Sequence, residues 1–195
     1  MGEIHPIPKE KLICGVLLSR EVPLSRVLPR LEAVWGPADH AGPLLEFPFT
    51  GYYQPEMGED IRRVYLSFRD LVEPERLREI KRQSNLLEEE FLKEGKRRVN
   101  LDPGLLSLHR VILASTKDAG HRIPLGEGIY GEITLIYRSG HWQTLEWTYP
   151  DYGSSSCREE MAEIRRLFKL QRRREEGASG EGASDPEAFD PRASR

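Results

Sequence analysis

The order in which short apolar runs alternate with helical stripes most constrains the fold of this chain. The run LICGVLL at 12–18 is typical of a buried strand, and apolar residues then recur at helical spacing over 24–34. The pattern predicts strands at 12–18, 44–49, 62–68, 98–101 and 105–114, and helices at 24–34 and 74–95. This strand, helix, strand, strand, helix, strand order is that of the ferredoxin-like fold, in which two helices cover one face of an antiparallel sheet.

The C-terminal third predicts an extension of that core. Residues 129–137 and 142–149 read as a hairpin, and a final helix follows, with Met161, Ile164 and Phe168 directed inward. We therefore expect an α+β fold with a ferredoxin-like βαββαβ core, extended by a C-terminal β-hairpin and helix. Residues 1–10 form an N-terminal extension, 11–174 a single domain, and 175–195 a disordered tail of small and acidic residues.

Composition narrows the class of protein. A chain of 195 residues with 38% hydrophobic and 31% charged residues suits one well-buried domain. The net charge of -3 argues against a general nucleic-acid binder, which usually carries a basic excess. No apolar run is long enough for a signal peptide or a membrane span, so we expect a cytoplasmic protein. Its two cysteines, Cys14 and Cys157, are expected to be reduced thiols.

Asp102-Pro103-Gly104 is a strong turn signal, because Asp bonds its own backbone and Gly accepts positive φ. The pattern predicts a turn here that separates two strands. The alternative function of Asp102 is that of a general base or a metal ligand.

The predicted hairpin has a register that its polar residues help to define. A two-residue loop at Ser139-Gly140 would pair Ile133 with Glu146, and so mix apolar and acidic groups on each face. A three-residue loop with Gly140 in the left-handed position avoids this mixing. It places Glu132 and Glu146 on one face with three threonines, where the alternative interpretation is a solvated strand face.

Ionisable residues crowd into the stretch from 100 to 152, as they do in a binding or catalytic cleft. Lys117, His121 and Arg122 are predicted to hold an anion, with His121 able to move a proton near neutral pH. Glu132 and Asp102 would act as acid and base or position a cation. The alternative is a charged surface loop that joins two strands.

Further residues complete the predicted site. Tyr53 and Glu56 belong to an aromatic and acidic loop that could form the wall of a pocket, and Tyr149 and Asp151 lie at a strand end. The alternatives are a capped sheet edge and an ordinary turn.

Two other functions are compatible with the sequence. A divalent-metal hydrolase would need carboxylates such as Glu132, Glu146 and Asp102 around one point, with Asp151 as a further ligand. An interaction module would instead use the basic run at 165–174 of the last helix, although flanking glutamates favour a solvated face. The chain has no phosphate loop, no H-E-x-x-H and no G-x-S-x-G.

Several strings resemble a bacterial domain-of-unknown-function family, number four-four-one-six. They are FTGYYQPEMG at 49–58, RRVNLDPG at 97–104, LASTKDAGHRI at 113–123, GIYGEITLIY at 128–137 and WTYPDY at 147–152. The similarity spans about residues 11–172. Some members carry a GTP-binding label, which implies a nucleotide, but the sequence contains no guanine-specific N/T-K-x-D motif. We expect an uncharacterised protein that binds a small anionic ligand, such as a nucleotide or phosphorylated metabolite, with an unknown cofactor requirement.

Overall fold

The computed structural model describes residues 2–49, 51 and 53–179, and within them the chain forms an α+β fold. The strands are β1 (Glu10–Leu18), β2 (Ala38–Ala41), β3 (Leu45–Glu46), β4 (Arg62–Val72), β5 (Val99–Leu106), β6 (Arg110–Ser115), β7 (Ile123–Gly126), β8 (Ile129–Arg138) and β9 (His141–Thr144). The helices are α1 (Leu24–Trp35), α2 (Gln54–Met57), α3 (Leu77–Glu89, after a 3-10 turn at Pro74–Arg76) and α4 (Ser155–Ser179).

All nine strands belong to one antiparallel sheet with the order β2-β4-β1-β5-β6-β8-β7. The short strand β3 also pairs with β4, and β9 pairs with β8. The predicted strand at 44–49 is reduced to the two residues of β3, and the sequence pattern missed β2. Strand β2 has the sequence ADHA, so its place in the sheet depends on backbone pairing and on polar contacts. Asp39, for example, accepts hydrogen bonds from Lys11 Nζ and Ser67 Oγ.

The two faces of the sheet carry separate hydrophobic cores. Val64, Leu66 and Phe68 of β4 point into the core beneath α1 and α3, whereas Tyr65 points into the core beneath α4. This separation follows from the alternation of side chains along a strand. Met161 and Phe168 of α4 are buried in the second core, as the helical spacing predicted. The sheet is thus covered by helices on both faces.

The Asp102-Pro103-Gly104 turn is a wrong prediction, because these residues lie inside β5. Asp102 pairs with Gly15 of β1 and Pro103 with Cys14, so β5 runs unbroken through the motif. The turn that follows β5 comes later, where Ser107 N–H donates to Arg110 C=O. Local turn propensity is overridden here by the pairing with β1 in the centre of the sheet.

Pro103 has a different effect, because it ends the pairing of β5 with β6. Pairing of the two strands covers Gly104↔Leu113 to Leu106↔Val111. Peptide groups alternate in direction along an antiparallel strand, and those of Leu101, Pro103 and Leu105 face away from β1. The next rung towards β6 would need an N–H from Pro103, which proline lacks. From Pro103 back towards the start of β5 the two strands therefore separate, and we call this opening the fork.

The hairpin prediction needs a second correction, because its loop has two residues. Arg138 pairs with His141, and Ser139 and Gly140 both have positive φ, as in the tight turns that suit hairpins. The unfavourable pairs predicted for this register do not form, because β9 ends at Thr144. Trp147 instead folds back, and its Nε1 donates to the Ile133 carbonyl at 2.9 Å.

The C-terminal helix is longer than the sequence pattern predicted. Helix α4 continues to Ser179, so the expected tail at 175–195 begins within the helix, and residues 180–195 lie outside the described residues. None of the helices in the described part of the chain combines the length and apolar character needed to cross a membrane.

We expect Gly104→Ala to destabilise the fold at the fork. A Cβ at position 104 would lie 2.4 Å from the backbone oxygen of Ile112, so the β5–β6 pair would have to move apart. The expected loss in free energy of unfolding is about 1–3 kcal/mol, measured by urea denaturation. Gly120→Ala is the control, because a Cβ there meets nothing within 4 Å. Equal stability of the two variants would contradict this account of the strand contact.

Candidate functional site

A cavity of about 480 Å³ opens at the fork. Leu113 to Lys117 line it from the β6 side, and Asn100 and Asp102 line it from β5. Its remaining lining residues are Phe47, Phe49, Tyr53, Arg63, Lys81, Asn85, Glu88, Arg97, Glu132, Tyr149, Pro150, Asp151 and Tyr152. Because α3 covers one face of the sheet and the 149–152 segment lies on the other, the cavity is lined from both faces.

Arg63 lies at the centre of one wall, with a side chain that is only 4% exposed. Its Nη1 donates to Asp102 Oδ2 at 2.9 Å, and its Nη2 donates to Asp151 Oδ2. The guanidinium also lies 5.4 to 5.6 Å from the ring centres of Phe47, Tyr65 and Tyr152. Burial alone would lower the pKa of Arg63, but Asp151 and Asp102 outweigh this effect and raise that pKa well above its ordinary value.

Gly15 makes room for this arrangement. A Cβ at position 15 would lie 2.3 Å from the Tyr152 hydroxyl and 2.8 Å from Arg63 Nη1. Strand β1 therefore needs a glycine opposite Asp102 so that Arg63 and Tyr152 can cross over its backbone. The Tyr152 hydroxyl and Arg63 Nε are buried and have no hydrogen-bond partner among the described residues.

The opposite wall is a polar face of α3. Lys81, Asn85 and Glu88 are spaced four and three residues apart, so they share one side of the helix. Lys81 Nζ donates to the Leu101 carbonyl at 2.9 Å, and Glu88 Oε1 accepts from the Leu101 N–H at 2.6 Å. The two side chains thus take the place of β6 beside Leu101, whose peptide groups would otherwise lack partners at the fork.

Glu88 has an unusual electrostatic environment for a carboxyl group. Burial raises its pKa to about 7, an effect that Lys81, the Leu101 N–H and Arg97 oppose and that Asp102 reinforces. Arg97 Nη1 lies 3.9 Å from Glu88 Oε2, while Arg97 Nε donates to Glu56 at 2.8 Å. The carboxyl group of Glu88 therefore exchanges a proton near neutral pH.

Glu132 is the centre of a second buried network, and its side chain is 1% exposed. Its Oε2 accepts from Arg122 Nε at 2.6 Å and lies 3.2 Å from His121 Nε2. Arg122 also donates to the Lys117 carbonyl and to the Tyr149 hydroxyl, at 2.8 and 2.7 Å. The His121 ring stacks on Trp147 at 5.0 Å. Arg122 thus holds the Lys117 and Tyr149 segments together at one edge of the cavity.

The predicted site residues divide into three groups. Six of them line the cavity: Tyr53, Asp102, Lys117, Glu132, Tyr149 and Asp151. Arg122 and His121 contact Glu132 instead, and Glu56 reaches the site through Arg97. Glu146 is exposed and does not share a cluster with Glu132, which is buried on β8.

Four charged residues of the cavity wall were missed by sequence reasoning, namely Arg63, Lys81, Glu88 and Arg97. Arg63 lies on the strand predicted at 62–68, for which no polar residue was proposed as part of the site. Lys81 and Glu88 lie on a helix that was interpreted only through its apolar stripe. Lys81 and Glu88 are seven residues apart and so share one face of the helix. A search for charged residues at this spacing, in a helix close to a proline-containing strand, could have found the pair.

The carboxylates do not form a metal cluster. Among the described residues, no group of three His, Cys, Asp or Glu side chains is arranged to hold a metal ion. Asp102 pairs with Arg63, and Glu132 pairs with Arg122. The oxygen atoms that a divalent ion would need are therefore engaged by guanidinium groups.

The fold and the site define an α+β protein with a charged cavity between two strands of an antiparallel sheet. The chain belongs to the family described as Domain of unknown function (DUF4416), whose pattern matches residues 8–168. The match covers β1 to most of α4 and so includes the whole cavity. No curated protein matches the chain, and no solved structure matches it.

Removing the Arg63 side-chain charge should strongly destabilise the protein. Arg63→Met leaves Asp151, which is 4% exposed, without its ion-pair partner, and such a loss costs about 3–5 kcal/mol. Arg62→Met, at the first residue of β4, should change stability by less than about 0.5 kcal/mol. Urea denaturation of both variants at pH 7 measures the difference. A small effect at position 63 would contradict the central role of this ion pair.

Glu88 should make the protein less stable as the pH rises. Its folded-state pKa is raised, so its contribution to stability is fully present below the unfolded pKa and is lost as pH rises through about 7. Glu88→Gln keeps an acceptor for Leu101 and removes the charge. We expect the stability of this variant relative to wild type to rise by up to about 3 kcal/mol between pH 5 and pH 8.

Denaturation curves at both pH values measure this change. Glu89→Gln, which alters the exposed neighbour, should show no such trend. A stability difference between Glu88→Gln and wild type that did not vary with pH would contradict the prediction.

Proposed function

We propose that the cavity at the fork binds a small anionic ligand, such as a nucleotide or another phosphorylated metabolite. The observation that carries this proposal is the convergence of Lys81, Arg97 and Lys117, from three distant segments, on one cavity of about 480 Å³. That volume lies within the range of about 300–1,000 Å³ that is typical of small-molecule sites. Cations of this kind are what a phosphate or carboxylate group needs.

The aromatic residues of the cavity support a ligand with a flat or apolar part. Phe47 packs against Phe49 and Tyr53 with ring centres 5.7 and 6.0 Å apart. Phe49 is 39% exposed and Tyr149 is 42% exposed, so both rings are accessible from solvent. Rings in this position could stack against a heterocycle or against the apolar face of a sugar.

The roles of the predicted residues differ within this proposal. Lys117 contacts the anion, whereas Arg122 and His121 position the Lys117 and Tyr149 segments through Glu132. Asp102 and Asp151 both form ion pairs with Arg63, and the three side chains make one rigid wall of the cavity. They could accept hydrogen bonds from hydroxyl or amino groups of the ligand.

The alternative interaction module receives less support. Arg165, within the basic run of α4, packs on the Tyr137 ring at 3.6 Å and donates to the Leu108 carbonyl. Arg166 pairs with Glu163 on the same helix. These two cations are engaged with the protein itself, so the cavity is the better candidate.

We also infer a ferredoxin-like core within the larger sheet. The adjacent strands β2, β4, β1 and β5 follow the order expected of a βαββαβ unit, and α1 and α3 share the core on one face. Strands β6 to β9 and α4 would then be additions, of which β6 and β8 contribute cavity-lining residues. The two free, buried cysteines, Cys14 and Cys157, suit the reducing cytoplasm.

A thermal-shift screen against nucleotides, phosphorylated metabolites and divalent ions tests the proposal. A ligand that binds only the folded state raises the apparent melting temperature. The screen should find at least one anionic compound, and calorimetry should then show that Lys117→Ala weakens its binding about tenfold, or about 1.4 kcal/mol.

Arg138→Ala is the matched control, because it removes a cation from the exposed hairpin turn, outside the set of cavity-lining residues. It should bind the compound like the wild type. A screen without any anionic hit, or equal weakening by both variants, would contradict the proposal.

A further inference from the structure

The α3 wall of the cavity holds its charged groups in an arrangement that the anion proposal alone does not explain. Lys81 and Glu88 both contact the peptide groups of Leu101, one at the carbonyl and the other at the N–H. Leu101 belongs to the strand at the centre of the fold, so these contacts fix both side chains relative to the fork. The result is a rigid pair of opposite charges on one wall of the cavity.

Each member of this pair keeps unused bonding capacity. Lys81 is 7% exposed, and its ammonium group makes one hydrogen bond and no ion pair among the described residues. Oε1 of Glu88 accepts from the Leu101 N–H, while Oε2 lies 3.9 Å from Arg97 Nη1. Lys81, Glu88 and Arg97 all line the cavity. An oxyanion between Lys81 and Arg97 would therefore lie next to Glu88.

Ionised Glu88 and a bound anion would compete for the same two cations. The charged groups that act on Glu88 are Lys81 from α3, Arg97 from the segment before β5, and Asp102 from β5. Two of these groups are cations that the incoming anion would also need. A protonated Glu88 removes the competition, because a carboxylic acid donates a hydrogen bond to an oxyanion instead of repelling it.

We propose that Lys81, Arg97 and Glu88 form an oxyanion subsite in which Glu88 takes up one proton from solvent and donates it as a hydrogen bond to the bound anion. This inference rests on the proposed function and adds to it a coupling between anion binding and pH. Asn85, on the same helical face, offers an amide group to the same ligand. The subsite suits a phosphate, sulfate or carboxylate group of the ligand.

Sulfate is the probe for this subsite, because it does not change its charge between pH 5.5 and 9. The Leu101 amide proton reports on Glu88 directly through their hydrogen bond, so a two-dimensional NMR titration of the full chain follows both events. Sulfate should raise the midpoint of the Leu101 shift with pH. Above the pH midpoint measured without sulfate, the affinity of the wild type for sulfate should fall by up to about tenfold for each further pH unit.

Three variants separate this coupling from a general charge effect. Glu88→Gln keeps the acceptor for Leu101 and adds an uncharged donor, so it should bind sulfate independently of pH and at least about fivefold more tightly than wild type at pH 8. Glu89→Gln should behave like the wild type. Lys81→Gln should weaken sulfate binding about tenfold at every pH.

The outcomes distinguish the two proposals. Sulfate binding with the same pH dependence in Glu88→Gln as in wild type, or an unmoved Leu101 midpoint, overturns the protonated Glu88 and leaves the anion site intact. Absence of sulfate binding to the wild type at pH 6 overturns the subsite. The anion-binding function itself then stands or falls with the separate metabolite screen.

Discussion

The cavity depends on one missing hydrogen-bond donor. Pro103 lies in β5, where a central position of the sheet would normally require an N–H for the neighbouring strand. Its ring removes that donor on the side of β6, so the ladder between the two strands stops at Gly104. Space then opens between β5 and β6, and it is filled by side chains instead of backbone. A single residue thus explains why a cavity exists in the middle of a continuous sheet.

Charged side chains can line such an opening because each is held by a specific partner. Arg63 forms ion pairs with both Asp102 and Asp151 on one face, and Arg122 pairs with Glu132 at the edge. Burying any of these groups alone would cost several kcal/mol, of order the net stability of a domain. These ion pairs are therefore required if charged side chains are to line the open fork. They also make the walls rigid, so the wall side chains lose less conformational entropy when a ligand binds.

Sequence patterns predicted the elements whose signals are local. The apolar run of β1, the stripes of α1 and α3, and the inward positions Met161 and Phe168 of α4 were all correct. The patterns failed where long-range pairing decides the outcome. Asp102-Pro103-Gly104 has every local mark of a turn, and only pairing with β1 keeps it extended. Strand β2 has no alternating apolar pattern in its sequence, and its position is set by backbone pairing with β4.

The same reasoning explains which site residues could be found from sequence. Ionisable residues cluster along the chain at 100–152, and five of the six predicted residues that line the cavity come from this stretch. Arg63, Lys81 and Glu88 lie earlier in the chain, and each stands in an element whose predicted role was to form the core. The chemistry of Lys81 and Glu88 appears only when the peptide groups of Leu101 are considered, because these groups need a donor and an acceptor from outside the sheet.

The partners of Leu101 could have been neutral side chains, since a hydroxyl and an amide satisfy a peptide group as well as ions do. The chain instead uses a lysine and a glutamate, both largely buried, at the cost of desolvating two charges. Burial raises the pKa of Glu88 to about 7, so near neutral pH the wall changes between a balanced pair and an uncompensated lysine. A purely structural role does not require this property. The oxyanion subsite proposed above would use it, because an anion beside Lys81 meets no competing carboxylate when Glu88 is neutral.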